Sequence, residues 1–147
     1  MRGDARGWID DGTLLPPNPA LEAYDKGNLK HDPYHFPRDV RVDAAREMVR
    51  QLRARMHLRV FAVCVQAWHA HVVVGGTRIH HYADIAKCAK DAVTHFLKAG
   101  RPVWGRDYDK RFCFDRAALA SRVRYVEKHN EADGLPARVV EGLDEWR

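Results

Sequence analysis

Two apolar runs standing almost back to back constrain this chain more than anything else in it. Residues 58–66, Leu-Arg-Val-Phe-Ala-Val-Cys-Val-Gln, are rich in β-branched and apolar side chains. Residues 69–74, His-Ala-His-Val-Val-Val, keep that character until Gly75-Gly76 stops it. So short a link lets the two runs pair as an antiparallel hairpin. Helical patterns flank them. Met48, Val49 and Leu52 recur at helical spacing within residues 44–56, behind an expected N-cap at Asp43 and with arginines on the other side. Residues 82–97 put Ile85, Ala89, Val93, Phe96 and Leu97 on one face, with Gly100 as the stop and Pro102 after it. Asp115 is expected to cap a last helix reaching about residue 130, with Leu119, Val123 and Val126 inward and Gly134 ending it. The pattern predicts an α+β fold, an antiparallel sheet with helices packed on it.

Residues 1–42 are rich in Gly, Pro, Asn and Asp. Leu15-Pro16-Pro17-Asn18-Pro19 and His31-Asp32-Pro33 exclude a helix interior or a central strand, so this part is expected to be extended or irregular, with a short strand near residues 34–36. Residues 103–114 are aromatic and basic and read as a strand or an extended loop. Residues 139–146 read as a short amphipathic stretch, and there is no internal repeat. The 147 residues suffice for one domain of ordinary size, and no segment approaches the ~20 apolar residues of a membrane span. Met1-Arg2-Gly3-Asp4 carries no apolar run of the secretory kind. Cys64, Cys88 and Cys113 form no metal-type or redox-type pair, which fits reduced thiols in a cytoplasm. A net charge of +5 permits a polyanionic partner and equally suits a plain basic protein.

The chemistry gathers in two places. In a strand, His69 and His71 point to one face about 7 Å apart, where two imidazoles can hold one metal ion. The structural alternative is a pair of half-exposed histidines making ordinary hydrogen bonds. In the last helix, Tyr125 and His129 stand four apart and share a face. If that face meets the histidine face of the sheet, three imidazoles and a phenol converge. Three nitrogen ligands leave a divalent metal with positions open to a phosphate oxygen. A tyrosine hydroxyl beside it can attack phosphorus, leaving a phosphotyrosine and a free hydroxyl on the other fragment. Trp104, Arg106, Tyr108, Lys110 and Arg111 can stack bases and meet phosphates, or can form a strand with one core face and one solvated face. His80-His81 reads as capping or solvated, the arginines of residues 46–59 as largely a solvated helix face, and His31 with His35 as a minor zinc alternative.

The ordered set His69-Ala70-His71, a helix with Lys90, Pro102-Val103-Trp104-Gly105-Arg106-Asp107-Tyr108, and Tyr125-Val126-Glu127-Lys128-His129-Asn130 resembles the single-tyrosine HUH transposases. These include the REP-associated tyrosine transposases and the transposases of the smallest insertion sequences. Members read similarly, with His-Val-His on the strand and Tyr-Ile-Glu-Asn-Asn before a Gly-Leu pair, here Gly134-Leu135. Arg6-Gly7-Trp8-Ile9-Asp10 is similar to an N-terminal segment of one subgroup. The resemblance spans about residues 6–135.

It implies a ferredoxin-like sheet, divided as an irregular segment over 1–42, a catalytic domain over 43–135 and a tail over 136–147. It implies a transposase-like, metal-dependent endonuclease and strand transferase acting on single-stranded DNA beside a hairpin. Tyr125 would be the nucleophile. His69, His71 and His129 would hold a divalent ion, Mg2+ or Mn2+, with His129 where relatives often place an amide. Lys90, Trp104, Arg106, Tyr108, Lys110 and Arg111 would meet DNA. A homodimer in the cytoplasm, away from any membrane, is implied as well. Two departures stand out. Ala70 replaces a bulkier apolar residue, and the strand that relatives carry before the Arg-Gly-Trp segment has almost nothing to form it here. The start is truncated, lies elsewhere, or the protein does without that strand. Alternatives are a domesticated or truncated relative that binds nucleic-acid hairpins without cleavage, and a hydrolytic metalloenzyme in which Tyr125 is incidental.

Overall fold

A computed structural model of the chain describes residues 8–10, 13–15, 19–20, 23, 33–76, 80–105 and 108–146. The chain divides into two compact units, Met1–Pro33 and Tyr34–Arg147. In the first, β1 (Trp8–Asp10) pairs antiparallel with β2 (Thr13–Leu15), Ile9 opposite Leu14, so a small hairpin stands where an irregular segment is expected.

The second unit has the α+β architecture that the patterning predicts. A 3-10 turn at Arg38–Val40 runs into α1 (Arg41–Met56), and β3 (Arg59–Val65) and β4 (Ala70–Gly75) follow as an antiparallel pair. Then come α2 (Tyr82–Leu97) and α3 (Arg116–Ala132). Among the described residues this sheet has two strands.

All of β3 beyond Arg59 is buried, which a two-sided covering requires. Val60, Val63 and Val65 join Leu58, Met48, Val49, Leu52 and Val93 in one core, beneath α1 and α2. Phe61, Ala62 and Cys64 join Val123 and Val126 in a second, beneath α3. Strict alternation would send Phe61 and Ala62 to opposite faces. A bulge between Val60, opposite Val74, and Ala62, opposite Val73, resets the register and gives both to α3. Gly75 must lack a side chain, because a Cβ there would come within 2.9 Å of the Phe61 ring.

The ends of α2 lie where the pattern puts them. The His81 side chain accepts the Ala83 N–H at 3.2 Å, and Lys98, not Gly100, takes the left-handed position that stops the helix. Asp115 caps α3 as expected, accepting the Ala118 N–H at 2.7 Å. Asp43 is not an N-cap. The helix begins two residues earlier, behind Pro37 and the 3-10 turn, and Asp43 sits in its first turn, bonded to Arg46 at 2.7 Å.

One other expectation is corrected, and two stretches take a definite form. Residues 34–36 are extended but form no strand; only the Phe36 N–H reaches Ala67 O, at 2.8 Å. Of the two readings of 103–114, a strand or an extended loop, the described part is the loop, with Val103 and Trp104 packed on the first core. The amphipathic tail over 139–146 is irregular. It buries Val140 and Leu143 and lies along the edge of β3, where Asp144 N–H donates to Val60 O and Asp144 Oδ2 accepts from the Val60 N–H, both at 2.8 Å. That covers a strand edge that would otherwise invite pairing.

Asp144 also accepts from Arg53 at 2.9 Å. Burial pushes its carboxyl up, but the Val60 N–H and the Arg53 guanidinium outweigh this and hold it below the usual carboxylate range. A carboxyl lowered in the folded state stabilises above its unfolded pKa and stops doing so as pH falls through its folded one. Asp144→Asn should therefore cost about 1 kcal/mol at neutral pH. The deficit should shrink below about pH 4. Denaturant melts of both proteins at several pH values measure it, and a deficit that persists unchanged in acid would refute the clamp.

Candidate metal centre and tyrosine

The register that buries Phe61, Ala62 and Cys64 under α3 also sets the histidines. His71 lies opposite Cys64, on the α3 side of the hairpin, and His69 precedes it by two on the same side. From the helix, Val123 and Val126 anchor α3 against the sheet, and Tyr125 and His129 flank that anchor. The four side chains expected to converge do so. Ring centroids lie 5.0 Å apart for His69 and His71, 5.0 Å for His71 and His129, and 6.5 Å for His69 and His129. Tyr125 stacks edge-on to His71 at 5.6 Å and tilted against His129 at 4.4 Å.

One nitrogen from each of His69, His71 and His129 lies within 4.8 Å of the others. A common ion with metal–nitrogen distances near 2.1 Å requires pairs within about 4.2 Å, so side-chain adjustments of less than an ångström close the set. The local chemistry fits such an ion. His129 Nδ1 stands 2.8 Å from the Tyr125 carbonyl oxygen, which can only accept, so Nδ1 carries the proton. The lone pair is then on Nε2, which is buried and meets no hydrogen-bond partner among the described residues. A backbone carbonyl that fixes the tautomer of a ligating imidazole is the usual outer partner at metal sites. All three imidazoles are half-buried, and Tyr125 is 44% exposed, open to a large substrate.

Taking His129 out of the set should weaken Mn2+ or Co2+ binding about 10- to 100-fold, while His129→Asn, which keeps a polar donor, should lose less. Calorimetric titration measures both. Equal affinity in His129→Ala and the wild type would remove His129 from the site.

The residues expected to meet DNA divide. Lys90 on α2 donates to Gly105 O at 3.0 Å and lies 5.5 Å from the Tyr108 ring centre. Trp104 is half-buried, donates its indole N–H to Lys90 O at 2.9 Å and packs 5.3 Å from Phe36, so it tacks the segment to the core. Tyr108 is exposed, Lys110 lies over the Tyr82 ring at 3.8 Å, and Arg111 pairs with Asp109 at 3.4 Å. Arg106 and His31 lie outside the described residues. His35 stacks against Trp68 at 4.4 Å, and His81 is a helix cap. None of the three cysteines forms a disulfide.

No protein-family model, curated protein or solved structure matches this chain. The site therefore stands on its own geometry. Two features escaped the sequence. Tyr82, Phe112 and Phe114 form an exposed row of rings, for which the alternating Phe112-Cys113-Phe114 was the available clue. Asn130, 2% exposed, donates from Nδ2 to Val63 O at 3.0 Å and Ala137 O at 2.8 Å, tying α3 to β3 one residue from His129. No helix among the described residues is long and apolar enough to cross a membrane.

Proposed function

We propose that this chain is a metal-dependent endonuclease and strand transferase for single-stranded DNA, similar to the single-tyrosine HUH transposases, with Tyr125 as nucleophile. The observation that carries the reading is the convergence of His69, His71 and His129, with the Tyr125 ring against two of them. Three imidazoles without a carboxylate would favour Mn2+ over the harder Mg2+. The ion would supply positive charge to a non-bridging phosphate oxygen.

The chain's own residues do the rest. His71 lies on β4 and His69 directly precedes its first residue, where its carbonyl accepts the Gln66 N–H at 2.8 Å, and the carbonyl of Tyr125 holds His129 in the ligating tautomer. The same turn of α3 therefore carries both a ligand and the nucleophile. Tyr125 Oη attacks phosphorus as the phenolic proton passes to solvent. The bond from phosphorus to the leaving sugar oxygen breaks, and that oxygen takes a proton from water. One phosphodiester replaces another, so the step is reversible and a second hydroxyl can reclaim the strand. A DNA hairpin beside the cut, a homodimer and a cytoplasmic setting belong to the same proposal.

The test is to mix the full chain with Mn2+ and a hairpin-flanked single strand labelled on either side of the cut, then run a denaturing gel. A labelled band at the mass of protein plus one fragment is expected with Mn2+, and none with chelator. Tight hairpin binding with no such band would reassign the chain to the non-cleaving relative.

A further inference from the structure

We propose that the rings of Tyr82, Phe112 and Phe114, with Tyr108 beside them, are a stacking platform for unpaired bases of a single nucleic-acid strand, with Lys110 and Arg111 placed for its phosphates. Tyr82 opens α2, and its ring stands 6.1 Å from Phe112 and 6.4 Å from Tyr108. Phe112 and Phe114 stack at 6.2 Å with their planes 30° apart. Neither phenylalanine belongs to a core cluster, and they are 59% and 91% exposed. A single exposed ring is ordinary, but a contiguous row of four marks a surface that something covers.

The charges around the row select the occupant. Lys110 lies 3.8 Å over the Tyr82 ring, and Lys90 lies 5.5 Å from that of Tyr108. An apolar partner would bury these ammonium groups in a dry interface. A second copy would bring lysine against lysine. A single strand offers π-faces to the rings and phosphates to the cations, the combination that sequence-tolerant binders use.

The choice of DNA rests on the function proposed above; the platform itself needs neither the metal nor Tyr125. Binding is therefore measured in chelator, by fluorescence anisotropy of a labelled oligothymidylate of roughly 12 nucleotides on the full chain. Phe112→Ala/Phe114→Ala should bind at least about ten-fold more weakly with its melting temperature unchanged, since both rings are exposed. Phe114→Trp should bind as the wild type does, and its added indole emission should be quenched by the strand. Lys110→Gln should lower the slope of log affinity against log salt by about one. Unchanged binding by the double alanine variant overturns the proposal. So does a dimer, seen by light scattering, that the double variant loses, because a second copy would then cover the rings. If the wild type forms no covalent adduct while the double variant loses the strand, only the nuclease reading falls.

Discussion

Tyr125→Phe should abolish the covalent protein–DNA adduct and slow cleavage of a hairpin-flanked single strand at least about 1,000-fold. Mn2+ affinity and melting temperature should stay at the wild-type values. The selectivity follows from what the ring touches. Its contacts with His71 and His129 are made by the ring, which phenylalanine keeps, and the carbonyl that orients His129 is backbone. Only the hydroxyl is lost, and it is the one atom that the proposed reaction needs as a nucleophile. The opposite substitutions separate the roles. His69→Ala and His71→Ala should lose metal and cleavage together, with Tyr125 intact. Full cleavage by Tyr125→Phe would mean that water is the nucleophile, and the chain would then be a hydrolase with a bystander tyrosine.

The site was more legible than the scaffold that builds it. His69 and His71 declare a shared face through period two, and Tyr125 and His129 through period four. Each pair needs only its own element to be right, and β4 and α3 carry clear apolar patterns. The extents of α2 were legible for the same reason, since its apolar face runs unbroken from Ile85 to Leu97 between His81 and Lys98. What stayed hidden depends on partners distant in sequence. The bulge at Phe61 exists because α3 takes two consecutive side chains, which no local pattern records. Trp104 reads as a base-stacking ring, and only the fold shows that it also packs on Phe36 and donates to Lys90 O. The tail reads as amphipathic because it is, but hydrogen bonds to Val60 hold it extended along a strand edge. The start of α1 was misplaced because a 3-10 turn prolongs the helix backwards past the best capping side chain.

Asn130 is the clearest case of a residue whose worth only the fold reveals, and it carries the second large effect expected here. A helical asparagine reads as a weak helix former. In the structure its amide donates to Val63 O on β3 and Ala137 O in the following turn, and its own carbonyl accepts the Leu135 N–H at 3.0 Å. Val63 lies opposite Val72, the neighbour of His71. One side chain therefore locks the end of α3 to the strand pair beside the histidines. Asn130→Ala strands two carbonyls, at least one of them buried, and should destabilise the protein by about 2–4 kcal/mol. The melting temperature should fall by on the order of 10 °C. Asn130→Asp preserves the shape but replaces the donor amide with an acceptor, so at neutral pH it should lose at least as much. If the latch also sets the angle of His129, Mn2+ affinity should fall in Asn130→Ala even well below its melting temperature, whereas Val140→Ala, at a buried position in the other core cluster, should lose stability alone. Equal loss of metal affinity in both variants would reduce Asn130 to a packing residue, and a melting temperature within 2–3 °C of wild type, under about 1 kcal/mol, would show that the two carbonyls find other donors.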